Sequence, residues 1–223
     1  VPVRLRPTAP IASAAILVGD PGRALLLAQE LLTEPKMSNH ARGLWGYSGV
    51  TGEGNRLTIQ ATGMGGPSAA LVLADLAELG VRRAVRVGTC VGLDGSVELG
   101  ALLPVGSALA LGGSATSHGA ALGEAVAPDP GLSADLREAL GEGTVATTIA
   151  SFDAYPPEPS SVQGAVAADL QTAALFARGR ELEVELAALL IVTESAAGDA
   201  LDPERLVQLE RRAGQVAAAT LLA

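Results

Sequence analysis

The sequence predicts an α/β fold, a three-layer α/β/α sandwich around a largely parallel or mixed central sheet. Two patterns carry this expectation: short apolar runs alternate with alanine- and leucine-rich helical stretches, and glycine turns sit where a strand hands over to a helix. A third observation is continuity. The 223 residues show no repeat, low-complexity linker or break in composition, so residues 1–223 read as one domain, long enough to bury a substantial core.

Residues 1–10 alternate apolar and basic side chains between prolines and read as an edge arm. Residues 14–18 form a strand, and Gly19-Asp20-Pro21-Gly22-Arg23 turns it into a helix reaching about Leu32. A strand, a glycine turn and a helix start present free N–H groups and a positive dipole end to an anion. Arg23 lies in the first helical turn, where a cation opposes the dipole. Either an anion binds there, or Arg23 is a surface residue beside a tight turn. Residues 35–42 read as a polar connection carrying His40 and Arg42. Residues 44–50 and 56–62 are strands of a hairpin, joined by Gly52-Glu53-Gly54-Asn55. Gly63-Met64-Gly65-Gly66-Pro67-Ser68 then starts a helix that ends near Leu79, with Gly80 closing it.

The central strand, residues 84–88, is read as breaking into a glycine turn within Val85-Arg86-Val87-Gly88-Thr89-Cys90-Val91-Gly92. Gly88 has no Cβ to obstruct a ligand. Arg86 offers a forked cation and Thr89 a hydroxyl, a combination suited to an oxyanion. An ordinary strand-to-loop junction is the plainer reading. Residues 101–109 form another strand, and residues 112–130 a long polar loop in which His118 reads as solvent-exposed. A helix over 133–140 and a strand over 144–150 follow. Residues 151–161 form a loop with Phe152, Asp153 and Tyr155, either binding groups or aromatics packed on the core. Asp169-Leu170-Gln171 precedes an alanine-rich helix, residues 186–193 form a buried-type strand ending at Glu194, and Pro203 opens a final amphipathic helix to Leu222. In such folds ligands bind beyond the carboxyl ends of strands, where Gly19, Gly63, Arg86, Asp153 and Glu194 are expected to gather.

Composition narrows the function. Hydrophobic residues are 48% of the chain but aromatics only 2%, so the core must be built from Ala, Val and Leu. The formal net charge of −9 argues against nucleic acid and acidic membrane surfaces as partners. The single cysteine, Cys90, excludes an internal disulfide framework and fits a reducing, cytoplasmic setting. No run approaches the length of a spanning helix, and the N-terminal residues lack a signal-peptide pattern. Two scattered histidines and one cysteine make a poor metal-ligand set, so no metal is expected.

Four segments stand together: GDPGRA (residues 19–24), HARGLWGYSG (40–49), TGMGGPSAA (62–70) and VRVGTCVG (85–92). In order and spacing the chain resembles the hexameric nucleoside phosphorylases, the purine nucleoside phosphorylase and uridine phosphorylase type. The similarity runs nearly end to end and is strongest over residues 14–92. The resemblance implies a nucleoside phosphorylase-like fold and a pentosyltransferase, in which inorganic phosphate attacks the anomeric carbon of a ribonucleoside and releases base and ribose 1-phosphate. Phosphate is a co-substrate, and no cofactor is implied. Gly19, Arg23, Arg86 and Thr89 match the phosphate-binding positions, and Arg42 matches an arginine that reaches in from a neighbouring subunit. A dimer is then the minimal active unit, and the family assembles three such dimers into a hexamer. Met64, Cys90, Tyr155, Asp169, Leu170 and Gln171 match the nucleoside-binding positions. Glu194, with Arg86, is expected to be catalytic, as the acid that protonates the leaving base.

The second half departs from the family pattern. Asp169-Leu170-Gln171 stands where the family carries Glu-Met-Glu, so a neutral Gln171 replaces the carboxylate that grips the ribose 2′- and 3′-hydroxyls. Gln171 can still bond both hydroxyls, but losing a charge-assisted interaction costs about 1.5–3 kcal/mol. A slower enzyme or a different sugar is expected, and Gln171→Glu is expected to raise activity on ribonucleosides. Glu194 stands where purine-specific members place an aspartate; as an acid it needs burial to raise its pKa, and otherwise it is a glutamate exposed at a strand end. Residues 156–161 lack the Gln and Arg with which uridine phosphorylases read the pyrimidine, which points to a purine. Pro2 or Val3 stands where many members have a histidine. A diverged phosphate binder with little turnover is the alternative from another class. A hydrolytic nucleosidase is disfavoured, because water needs no phosphate cradle.

Overall fold

A computed structural model describes residues 2–154 and 162–223. The strands are β1 (Ala14–Val18), β2 (Thr33–Asn39), β3 (Gly46–Val50), β4 (Arg56–Ala61), β5 (Arg83–Gly92), β6 (Leu102–Ala110), β7 (Ala125–Val126), β8 (Thr147–Ser151), β9 (Ala167–Asp169) and β10 (Glu185–Glu194). The helices are α1 (Pro21–Leu31), α2 (Gly65–Glu78), α3 (Gly113–Thr116), α4 (Pro130–Leu140), α5 (Thr172–Leu182) and α6 (Pro203–Leu222), with a 3-10 turn at Ala41–Gly43. Three helices begin the same way: Asp20, Asp129 and Asp202 each cap free N–H groups, and each is followed by a proline whose missing N–H is no loss there.

The mixed sheet runs β10-β6-β8-β9-β5-β1-β4-β3-β2, and β10 also pairs with β5. Strand β5 is the branch point. It pairs parallel to β1 on one side and to β10 on the other, and its last residues, Val91 and Gly92, pair antiparallel with β9. The strands β5, β10, β6, β8 and β9 therefore close into a ring, while β1, β4, β3 and β2 extend as an open wing.

Alternation along the central strands sorts the core into two layers. Ile16, Val18, Val85, Val87, Leu189 and Ile191 pack against α1, α4 and α6. Leu17, Ala84, Leu186, Ala188 and Leu190 face α2, α3 and α5. The sandwich and its small-residue core are as the sequence predicts.

Three local readings change, and a fourth gains its anchor. Residues 35–42 are not a plain connection: Thr33–Asn39 is strand β2, paired only with β3. As an edge strand it tolerates Pro35 and a mostly exposed polar face, which hides it from a hydrophobic pattern. The central strand does not break at Gly88 but continues in register with β10 through Cys90. The polar loop after β6 contains α3 and β7. His118 is half-buried there, its Nδ1 3.1 Å from the Glu181 carboxylate. Finally, the arm expected over residues 1–10 lies at the sheet edge, where the Thr8 N–H donates to the Ser38 carbonyl of β2, and it is tied down by Asp75 of α2, which accepts from the backbone N–H groups of Arg4 and Leu5.

Candidate active site

A cavity of about 470 Å³ opens at the carboxyl ends of β1, β4, β5 and β10. Its walls come from the turn Gly19–Asp20 and Arg23 at the start of α1, from Gly63, Met64 and Gly65 at the start of α2, and from Arg86 and Gly88 to Val91 on β5. Ala168 to Gln171, with Thr193 and Glu194, complete it. Of the expected site residues, Gly19, Arg23, Arg86, Thr89, Met64, Cys90, Asp169, Leu170, Gln171 and Glu194 all line this one space. Asp153 does not; its carboxylate accepts from the backbone N–H and hydroxyl of Ser114 and so caps α3. Phe152 packs in a small core with Leu93 and Ala150. Tyr155 lies outside the described residues.

Arg86 is 4% exposed, and its side chain points to the layer that holds α5. Three partners take its guanidinium: Nε donates to Thr172 Oγ1 at 3.1 Å, Nη1 to Gln171 Oε1 at 2.5 Å, and Nη2 to Asp169 Oδ2 at 3.0 Å. A guanidinium has five N–H bonds, so two remain for a ligand. Burial pulls Arg86 below its ordinary pKa; the Asp169 carboxylate pushes it back up, and nearby Arg23 lowers it again. Asp169 is itself held by Ser151 Oγ at 2.6 Å and by the backbone N–H and hydroxyl of Thr172. The role expected of Gly88 is corrected. It makes no turn: a Cβ there would lie 2.6 Å from Arg86 Cζ and Nη2 and 2.9 Å from Leu190 Cδ2, so glycine is present to let the guanidinium lie across the strand.

Gln171 is also fixed from within. Its Oε1 accepts from Arg86, and its Nε2 donates to the Gly63 carbonyl at 2.5 Å. The partners settle which end is which, since arginine only donates and a carbonyl only accepts. The sequence-based expectation that both ends of this amide bond a sugar diol does not fit these contacts.

Arg23 approaches from the opposite layer. Its backbone N–H is capped by Asp20, its Nε donates to Glu210 Oε1 of α6 at 2.7 Å, and its Nη1 faces the Val87 carbonyl at 3.5 Å. Thr89 and Leu170 are half-buried on the wall, and Met64 is 88% exposed at the rim. Cys90 is buried with its Sγ 3.6 Å from the Ile191 carbonyl, and burial raises its pKa far above the ordinary thiol value, so it is a packing thiol and no nucleophile. Glu194, half-buried, ends β10, with a bridge to Ala200 behind it. Arg42 is exposed on the 3-10 turn, with φ of 60°, and lies outside the cavity of its own chain.

Among the described residues no cluster of three His, Cys, Asp or Glu could hold a metal ion, and no helix is long and apolar enough to cross a membrane.

The sequence profile of the Phosphorylase superfamily matches residues 13–223. The chain belongs to that superfamily. Among its superfamily relatives, it is 28% identical over 200 residues to a protein of Alkaliphilus metalliredigens named purine nucleoside phosphorylase DeoD-type, covering 83% of each. It is 44% identical over 81 residues to the protein of that name from Oceanobacillus iheyensis, covering 36% of this chain and 34% of the relative. Matches of this second kind span little more than a third of the relatives' length. In fold, it superposes on a uridine phosphorylase from Vibrio fischeri ES114 complexed with 6-hydroxy-1-naphthoic acid, with a TM-score of 0.85 and 22% identity over 95% of this chain and 92% of that one.

Ser151, Thr172 and Glu210 were not picked out from the sequence. For Glu210 the signal was there. It falls on the apolar stripe of α6 with Leu206, Ala213, Ala217 and Leu221, a lone acid where the period calls for an apolar residue.

Proposed function

We propose that this superfamily member is a nucleoside phosphorylase, cleaving a purine nucleoside with inorganic phosphate to the free base and ribose 1-phosphate. The observation that carries the reading is the pair of buried arginines, Arg23 and Arg86, brought from opposite layers of the sandwich to line one cavity beside the start of α1. In this reading Gly19, Arg23, Arg86 and Thr89 hold phosphate, and the cavity wall of Met64, Cys90 and Leu170 receives the nucleoside. A phosphate oxygen attacks the anomeric carbon, the bond to the base nitrogen breaks, and the bonding pair leaves with the base. Glu194 donates a proton to that base. The arginines orient the phosphate dianion and hold it against its own repulsion in a partly desolvated site.

The position of Arg42 supports a homo-oligomer. It is exposed and does not line its own cavity; in this reading it acts in the cavity of a second copy, the dimer being the unit from which a hexamer is built.

A second reading, a diverged member that binds phosphate with little turnover, is favoured by Gln171, whose amide is engaged by Arg86 and Gly63. One experiment separates the two. Base release from inosine, adenosine, guanosine and uridine is measured with and without phosphate. Phosphate-dependent cleavage of a purine nucleoside is expected. Cleavage of uridine alone moves the specificity to pyrimidines, and no cleavage by a protein that binds phosphate supports the second reading.

A further inference from the structure

We infer that Glu210 is a positioning residue for Arg23, holding one edge of its guanidinium so that the other faces the cavity; the inference rests on the phosphate-site reading above. Both residues are 8% exposed, and they meet in an ion pair between elements far apart in sequence, Arg23 Nε to Glu210 Oε1 at 2.7 Å.

The pair belongs to a built interface. One helical turn on from each residue, Gly214 of α6 packs against Leu27 of α1; a Cβ on Gly214 would lie 2.5 Å from Leu27 Cδ2 and 3.1 Å from Cδ1. The i to i+4 spacing on both helices makes Arg23–Glu210 and Leu27–Gly214 successive layers of one contact. Glycine at 214 lets α6 come close enough for a glutamate at 210 to reach the first turn of α1.

Arg23 needs such a partner. It sits where the helix dipole repels a cation, it is buried, and the other hydrogen-bond contact of its guanidinium among the described residues is a 3.5 Å approach to the Val87 carbonyl. Only the Nε side is tied to Glu210, so Nη donors stay free on the side that lines the cavity. An arginine held at one edge approaches an oxyanion with less side-chain entropy to lose than a free one. The C-terminal helix thereby takes part in a site it does not itself line.

The test measures binding of inorganic phosphate to the intact protein by equilibrium dialysis, together with KM for phosphate and for nucleoside. Glu210→Ala is expected to weaken phosphate binding about tenfold or more, by analogy with loss of a charge-assisted hydrogen bond. Its KM for nucleoside should stay near the wild-type value, which a merely structural defect would not leave in place. Glu210→Gln keeps an acceptor for Arg23 Nε and is expected to bind phosphate within about threefold of wild type. Should the alanine variant fail to fold, Glu210→Asp withdraws the acceptor by one methylene and is expected to weaken phosphate binding in the same direction. Wild-type affinity in the alanine or aspartate variant overturns the inference, as does equal loss in the glutamine and alanine variants. A wild-type protein that binds no phosphate overturns the phosphate-site reading and the inference with it. Phosphate binding without base release overturns the reaction alone.

Discussion

At Gly88 the backbone gives up a side chain so that the guanidinium of Arg86 can lie across the strand, with Leu190 on the neighbouring strand closing the space. Gly88→Ala is therefore expected to displace Arg86 without removing it. Overpacking of this kind costs about 1–3 kcal/mol, read as a shift in the denaturation midpoint, and phosphate affinity should fall with it. Arg86→Ala is harsher, because it leaves the Asp169 carboxylate buried without its cation; a stability loss of about 3–5 kcal/mol is expected, with phosphate-dependent cleavage abolished. Gln171 turns on donor and acceptor chemistry. A glutamate there could still accept from Arg86, but it would set a carboxylate oxygen against the Gly63 carbonyl that the amide now satisfies. The geometry reverses the expectation formed from the sequence: Gln171→Glu should destabilise the protein by about 1–3 kcal/mol and bring no gain in kcat/KM on ribonucleosides.

Helices and strands show what a linear pattern conveys and what it omits. The first halves of α1 and α2 were legible because Asp-Pro and glycine turns announce a helix start, and α6 because its apolar period is clean. Strand β2 was not, since an edge strand with one partner needs no apolar face. The clustering of Arg23, Arg86, Gln171 and Glu194 was legible from strand-end logic; the contacts that engage Gln171 and one part of the Arg86 guanidinium were not, because they arise between side chains brought together only by the fold. At the α1–α6 contact, Gly214→Ala should cost about 1–3 kcal/mol through Leu27, measurable by chemical denaturation. The N-terminal arm supplies a pH-dependent test. Burial alone would raise the Asp75 carboxyl, but the N–H groups of Leu5 and Arg4 and the Arg4 guanidinium hold it below its ordinary value. A carboxyl lowered by folding adds stability above its unfolded pKa, lost as pH falls through the folded value. Asp75→Asn should therefore lower the melting temperature at neutral pH, and the gap to wild type should begin to narrow only as the pH drops below about 4, closing further down as the folded carboxyl takes up its proton.

On the scale of the whole molecule, the sandwich and its two small-residue cores followed from composition and period, whereas closure of half the sheet into a ring did not. Ring closure depends on β5 pairing with three strands, and no local pattern declares a branch. The branch also orders events in time. Strand β10 lies between β5 and β6, and among the described strands it is made after all the others. Until it emerges from the ribosome, β5 and β6 each carry an unpaired edge, the kind of surface on which other chains dock. Arg23 likewise waits for α6 before its partner exists. A chain ending before residue 185 should accordingly be captured by chaperones or aggregate, seen as loss from the soluble fraction, and bind no phosphate. Assembly of the cavity thus waits on residues beyond 185: a shorter chain already holds both arginines but lacks the Thr193–Glu194 wall and the Glu210 partner of Arg23.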